Sequence, residues 1–342
     1  MSEKGWRASI EDEFGESVFQ SRYTGEVVST GSFVLDYLLE IGGFPVGRLS
    51  EVFGEEGSGK TTLILSTILQ CLKEKRPVLF LDYEATLNDK VMEKMGIDPA
   101  LLFDYRVMPV TMEVGWRVVG SLCERKEHKG GMIFVDSLAA MPTKVEIEEG
   151  LDSKERVGLV ARVMSRSLRT MTKILAQANV GLVFVNQERA SIDLRFGGGK
   201  TTPGGKALRF YASTRTQLSL RGRITHDQDN DLTGKKEKIV TGLTVGLNVV
   251  KNKFGGSYRR GNMVIRMNGG IDSIISAVAV GEAAGLVQRK GAYYVFPEEY
   301  GREDDLGEVK KLGYERVRTY FLENPKIWYK FMENVNNYLL KK

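Results

Sequence analysis

Short apolar runs punctuate the first half of the chain at Leu49–Phe53, Val78–Leu81, Met132–Val135 and Val180–Val185. Runs of this length bounded by polar residues predict strands buried on both faces, as in a parallel sheet. Segments with helical spacing lie between them: 62–72, 88–95 ending near Gly96, 114–124 and 157–176. A weaker strand candidate spans 101–107. Ser32 or Ser29 is placed to cap a helix running to Leu39, and the turn 42–47 then leads into the first strand. Alternating strands and helices predict an α/β fold around a central, mostly parallel sheet.

The second half changes character. After a helical turn beginning at Lys206, strands are expected at 216–221, 243–252 and 262–267, with the charged stretch 226–238 as a hairpin or loop. Composition shifts near Gly269-Gly270, and helical patterns follow at 273–284, 305–312, 317–323 and 325–340. A strand pair is expected around 286–287 and 293–296 with a turn at Lys290-Gly291, and Trp328, Tyr329, Phe331 and Tyr338 are available for a small core. The chain therefore divides into an arm (1–27), an α/β core (28–268) and a small α+β C-terminal domain (269–342). The arm is polar, with scattered Phe14, Val18, Phe19 and Tyr23, too few to form a core alone, so it must pack on its own domain or on a neighbour.

Chemistry enters at Gly54-Glu55-Glu56-Gly57-Ser58-Gly59-Lys60-Thr61, followed by Thr62 at the helix start. This matches G-x-x-x-x-G-K-[ST] in its strand–turn–helix context, the arrangement that cradles phosphates on backbone N–H groups. Lys60 is expected on the outer phosphates and the Thr61 hydroxyl on Mg²⁺. The strand 132–135 ends in Asp136, a second Mg²⁺-orienting position, and Glu84 lies just past the strand 78–81, where open α/β sheets place their chemistry.

Two stretches fall outside this alternation. Residues 142–156 are polar and acidic, too polar for a core element. Residues 190–205 are glycine-rich and include Phe196, Lys200, Gly204 and Gly205. Glycines with cations and a lone aromatic suit a loop that grips a nucleic-acid backbone and wedges between bases, and they equally suit a flexible lid. The helix 157–176 carries a basic side of Arg162, Arg166, Arg169 and Lys173, of which Lys173 reads as solvated.

Composition narrows the class. The net charge of +5 permits a polyanionic partner. No run of ~18 apolar residues predicts a membrane span, and the polar N-terminus carries no signal region. Cys71 and Cys123 read as reduced core residues of a cytoplasmic protein, and His128 and His226 stand too far apart to suggest zinc.

The ordered motifs Ser29–Ser32, Gly42–Arg48, Gly54–Thr62, Asp82–Glu84, Val135–Ser137, Val185–Gln187, Thr201–Ser213 and Val250–Lys253 resemble the bacterial RecA recombinase family over about residues 12–335. The resemblance implies a RecA-like P-loop core that binds ATP and Mg²⁺, hydrolyses ATP when bound to DNA, and assembles as a helical homo-oligomeric filament on single-stranded DNA. That filament would pair with homologous double-stranded DNA and exchange strands, with single-strand-binding and loader proteins as further partners. Glu84 then resembles the glutamate that activates water, and Gln187 the glutamine that senses the γ-phosphate. Segments 143–156 and 188–204 resemble the two DNA-binding loops, with Arg162, Arg169, Arg189, Phe196, Lys200, Gly204 and Gly205 as DNA contacts. Lys251 and Lys253 resemble lysines that reach the ATP of the neighbouring subunit. Phe14, Val18, Phe19 and Phe210 are implied at the subunit interface.

The chain departs from the family pattern in places. Lys200 stands for an acid, Glu188 for an apolar residue, Pro203 for Thr, and Val91 where an aromatic would stack on adenine. The arm is short and the end lacks an acidic tail, which points to a phage-encoded or otherwise divergent member with easier access to duplex DNA. A ring-forming motor or regulatory ATPase of the same fold, and an ATP-binding protein that does not hydrolyse, are the competing readings. Glu84 with Asp136 argues against the last.

Overall fold

The computed structural model describes residues 25–85, 87–103, 106–149, 158–190, 200–201, 203–229, 236–302 and 307–340. The arm positions Phe14, Val18 and Phe19 lie outside the described residues. Nine strands form the main sheet: β1 (Leu49–Gly54), β2 (Val78–Asp82), β3 (Arg106–Val107), β4 (Met132–Asp136), β5 (Gly181–Gln187), β6 (Thr214–Asp229), β7 (Lys236–Asn252), β8 (Arg259–Arg266) and β9 (Gly270–Ile271). Their order is β9-β8-β7-β6-β1-β5-β4-β2-β3. The six strands from β6 to β3 run parallel, and β7, β8 and β9 continue the sheet antiparallel.

Alternation along the parallel strands feeds two cores. Val78, Phe80, Met132, Phe134, Val183 and Val185 face the helix Lys60–Lys73, whose Leu63, Ile64 and Ile68 are fully buried. Leu79, Leu81, Ile133, Val135, Leu182 and Phe184 face the helices Met112–Cys123 and Leu159–Ala178 through Trp116, Met164, Leu168 and Leu175. At ~1.5–3 kcal/mol for each large side chain buried, these layers hold the strand ends that carry the site. Ser32 caps the helix Phe33–Leu39 at 3.4 Å from the Leu35 N–H. Ser29 instead donates to the buried Asp36.

The C-terminal segment packs the helices Ser273–Ala283, Gly313–Glu323 and Pro325–Leu340 around Phe296, Tyr300, Phe321 and Phe331. Its buried residues are continuous with the core on the Lys60–Lys73 side of the sheet. Tyr329 is 64% exposed and takes no part in that core, whereas Trp328 and Tyr338 pack against it.

Several elements differ from the sequence-based expectation. Val309–Leu312 is a strand paired with Tyr293–Phe296, not a helix end, because Val309 fills a core position that pairing presents. Of the charged stretch 226–238, expected as a hairpin or loop, the described residues form the paired arms of a hairpin: β6 continues to Asp229 and β7 begins at Lys236. Ladder bonds to the partner strand sustain it without an apolar face. The segment 101–107 divides into the end of the helix Pro99–Phe103 and the short strand β3. Lys144–Glu149 forms one and a half helical turns, started where Thr143 Oγ1 donates to Glu146. In the glycine-rich stretch, Arg189–Ala190 pairs antiparallel with Lys200–Thr201, and Phe196 lies outside the described residues.

Candidate nucleotide site and nucleic-acid face

In a parallel sheet all C-terminal strand ends share one edge. β1, β5, β4 and β2 are adjacent, so Gly54, Gln187, Asp136 and Asp82 meet there, with Gly54 opposite Gln187 and Asp82 opposite Asp136 in register. The phosphate loop fills the gap between β1 and its helix. Gly57 and Gly59 hold φ of 68° and 86°, values that side chains other than glycine rarely adopt. A Cβ on Gly59 would overlap Ile265 Cδ1, and one on Gly54 would overlap the Leu218 carbonyl. Glu55, Glu56 and Gly57 lie exposed at the tip, Thr62 is half-buried in the first turn of the helix, and Ser58 is buried with its hydroxyl on Glu55 O at 2.7 Å.

Lys60 is buried, and its ammonium donates to Gly54 O at 3.1 Å and to Glu55 O at 2.6 Å. Burial lowers its pKa, opposed by the nearby Asp136 and Glu84 carboxylates. Thr61 Oγ1 donates to Asp136 Oδ2 at 2.9 Å. Burial pushes the Asp136 carboxyl up to about 6 against that hydrogen bond. These residues fit a nucleoside triphosphate with Mg²⁺. Among the described residues no cluster of three or more His, Cys, Asp or Glu could hold a metal by itself. Mg²⁺ takes one or two protein ligands plus phosphate oxygens and water, which is what one hydroxyl and one carboxylate beside a phosphate cradle provide.

Glu84 sits two residues beyond β2. Its Oε1 accepts from the Ser137 hydroxyl and from Gln187 Nε2, the latter at 3.1 Å. The neighbouring acid Asp82 is committed elsewhere, to Arg106 through both Nε (2.9 Å) and Nη2 and to the Ala85 N–H at 2.8 Å. Ser137, Arg106 and a buried network below Gln187 escaped the sequence reading. In that network Glu51 binds Arg215 at 2.5 Å and Asn186 Nδ2 at 3.0 Å, and Asn186 also donates to Pro203 O at 3.1 Å and accepts from the Gln187 N–H at 3.0 Å. Glu51 in a central strand was the available signal, since a charge there requires a partner.

Gly204 (φ 86°) caps the helix Gly205–Tyr211, and a Cβ on it would come 2.5 Å from Leu138 Cδ2. Gly205 (φ 72°) would meet Ala161 Cβ at 2.9 Å. Both glycines are therefore required by backbone and packing alone. Arg162 and Arg169 are exposed on the helix Leu159–Ala178. For Arg189 and Lys200 the structure describes the backbone pairing only. Glu188 accepts from Gln217 Nε2 at 3.0 and 3.1 Å, a polar partner that accommodates an acid there. Val91 is exposed.

Lys251 and Lys253 lie away from the phosphate loop of their own chain. Lys251 pairs with Arg215, itself opposite Glu51 near the start of β1, and its ammonium donates to Arg209 O and Phe210 O at 2.8 and 2.9 Å. Burial and the neighbouring Lys253 and Arg215 lower its pKa. Phe210 is 74% exposed.

The RecA N-terminal domain family model matches residues 7–272. The chain belongs to the RecA family. It is 35% identical to Protein RecA of Thermus aquaticus over 324 residues, covering 93% of this chain and 88% of that protein. It is 34% identical to Protein RecA of Legionella pneumophila strain Corby, covering 93% and 84%. The crystal structure of the RadB recombinase superimposes with a TM-score of 0.52 at 22% identity, covering 72% of this chain and all of that one, a likeness of fold. The RecA-like α/β core expected from the motifs is thus the observed one. Among the described residues no helix of this RecA-family chain is long and apolar enough to cross a membrane.

Proposed function

We propose that this RecA-family chain is a DNA-dependent ATPase that forms filaments on single-stranded DNA and exchanges strands with a homologous duplex. Membership of a recombinase family supports the class, and the Gln187–Glu84 hydrogen bond carries the coupling. Gln187 ends β5 and leads directly into the segment 188–204, so one side chain touches the carboxylate beside the phosphate cradle while its backbone begins the proposed DNA loop.

The roles follow from the donors and acceptors present. Bound Mg²⁺-ATP supplies the phosphoryl group and the metal that neutralises developing charge. Lys60 exchanges its two carbonyl partners for phosphate oxygens, and Thr61 and Asp136 orient the metal side. Among the described residues both donors to Glu84 engage Oε1, and Oε2 is the oxygen proposed to accept a proton from the attacking water. If Gln187 turns to a terminal phosphate, Glu84 loses that donor, and the loop after Gln187 shifts with it. Lys251 and Lys253 then serve the ATP of a neighbouring copy, since they lie far back along the sheet from their own loop, and exposed Phe210 contacts that copy. The acting compartment is the cytoplasm, where both ATP and DNA are at hand.

ATP turnover of the full chain with and without single-stranded DNA tests this. Stimulation by DNA, lost in Gln187→Ala while nucleotide binding is retained, is the expected result. Equal turnover in both conditions would remove the coupling and favour a ring motor with another activator.

A further inference from the structure

Both donors to Glu84 stand next to a residue that grips the closing end of the segment 188–204. Gln187 follows Asn186, which is fully buried near the end of β5. Asn186 Nδ2 donates to Pro203 O at 3.1 Å and to Glu51 Oε1 at 3.0 Å, and its Oδ1 accepts the Gln187 N–H at 3.0 Å. The amide therefore commits both of its N–H donors and its acceptor to joining the strand end that carries Gln187 to the last residues of the segment. Polar groups this deeply buried are costly unless paired, so Asn186 resists any separation of the two ends.

The other donor is tied to the same place from the neighbouring strand. Ser137 follows Asp136 at the end of β4 and is fully buried, with its hydroxyl on Glu84 Oε1. Leu138 comes next and is buried, and the Gly204 backbone lies so close that a Cβ on it would come 2.5 Å from Leu138 Cδ2. Leu138 also shares its core with Leu208, on the helix that Gly204 caps. Between these grips the backbones of Arg189–Ala190 and Lys200–Thr201 pair antiparallel. A shift of the paired limbs thus meets Asn186 on one side and Leu138 on the other. Dense interiors transmit such shifts, because packed side chains have little room to absorb them.

We propose that Asn186 and Leu138 are positioning residues that couple the closing end of the segment 188–204 to Glu84, the first through Gln187 and the second through Ser137. The contacts close a ring that runs from Glu84 to Ser137, from Leu138 to Gly204, from Pro203 to Asn186, and from Gln187 back to Glu84. Gln187 relays a movement of the segment only while Pro203 is held behind it, and Glu84 receives that movement at Oε1 from both sides. This rests on the DNA-stimulated ATPase reading above and extends it to the end of the segment away from Gln187, through residues given no role there.

The test is thermodynamic linkage in the full-length chain. A non-hydrolysable ATP analogue should raise the affinity for a labelled oligothymidylate, and the oligothymidylate should raise the affinity for the analogue by the same factor. Leu138→Val shortens the side chain under Gly204 and leaves Glu84, Ser137 and Gln187 in place, and Asn186→Ala removes the hold on Pro203. Each should lower the linkage factor about threefold or more, while affinity for the oligothymidylate without nucleotide stays at the wild-type value. Ser137→Ala should lower DNA-stimulated turnover about tenfold, the worth of a hydrogen bond to a charged group, with the Michaelis constant for ATP unchanged. Leu175→Val, the same truncation elsewhere in the core that holds Leu138, should cost comparable stability and leave the linkage factor intact. If Asn186→Ala fails to fold, Leu138→Val decides by itself. A wild-type factor in either folded variant, with only the unfolding midpoint lowered, makes the ring a packing feature and overturns the inference. So does an equal loss of linkage in Leu175→Val. A wild-type protein without linkage between nucleotide and oligothymidylate fails before any variant is compared, and removes the coupled reading itself along with the ring.

Discussion

Glu51 is 0% exposed in the centre of the sheet, so its replacement is a demanding test of the network beneath Gln187. Arg215, opposite it on β6, has a side chain only 12% exposed and stacks its guanidinium 4.6 Å from the Phe53 ring centroid. Glu51→Leu leaves that guanidinium buried without its counter-charge and deprives Asn186 Nδ2 of one of its two acceptors. Removing one partner of a buried pair costs about 3–5 kcal/mol, because the remaining charge stays desolvated and unpaired. The hydrogen bond lost by Asn186 adds about 1 kcal/mol. With a urea m-value of about 3 kcal/mol/M, the unfolding midpoint should fall by about 1–2 M, read by far-ultraviolet circular dichroism. Glu51→Leu/Arg215→Leu removes both charges and should recover most of that loss, since apolar replacement of a whole buried pair is often neutral. A single variant within about 1 kcal/mol of wild type, or a double variant as unstable as the single, would refute the reasoning.

Three further outcomes are expected. Glu84→Gln should lower ATP turnover about 10²–10⁴-fold, the usual worth of a general base, while nucleotide binding by fluorescence is retained; equal losses of both would place Glu84 in binding only. Gly59→Ala must adopt φ 86° and displace Ile265, so thermal unfolding should show a loss of about 1–3 kcal/mol, whereas Gly57→Ala, with open space around it, should be milder. Burial pushes the Asp36 carboxyl up to about 7 despite donors from Ser29 and Thr30. A carboxyl raised in the folded state binds a proton there more readily than when unfolded, so its stabilising effect is complete below about pH 4 and lost as pH rises through about 7. Melting temperatures between pH 5 and 8 should fall in wild type and vary less in Asp36→Asn; parallel pH profiles would count against the assignment.

Local information determined a large share of this protein. The runs Val78–Leu81, Met132–Val135 and Val180–Val185 announce buried strands because both faces of each must be apolar, and all three are buried throughout. The phosphate loop is legible because its glycines, lysine and threonine act within eight consecutive residues, and Asp136 because its strand points it at the same edge. What tertiary structure alone decided are the matters that depend on neighbours far along the chain. Asp82 and Glu84 look alike in sequence, but Arg106 takes the first and Ser137 with Gln187 holds the second. Charged ribbon from Ile224 to Asp229 is held by its partner strand and not by its composition. Lys173 is exposed, as its sequence position reads, but only folding places Arg48 and Lys253 around the recess it lines. The physical reason is common to all three: backbone periodicity reports which face a residue takes, whereas the partner that neutralises or recruits a charge is chosen by packing between elements distant in sequence.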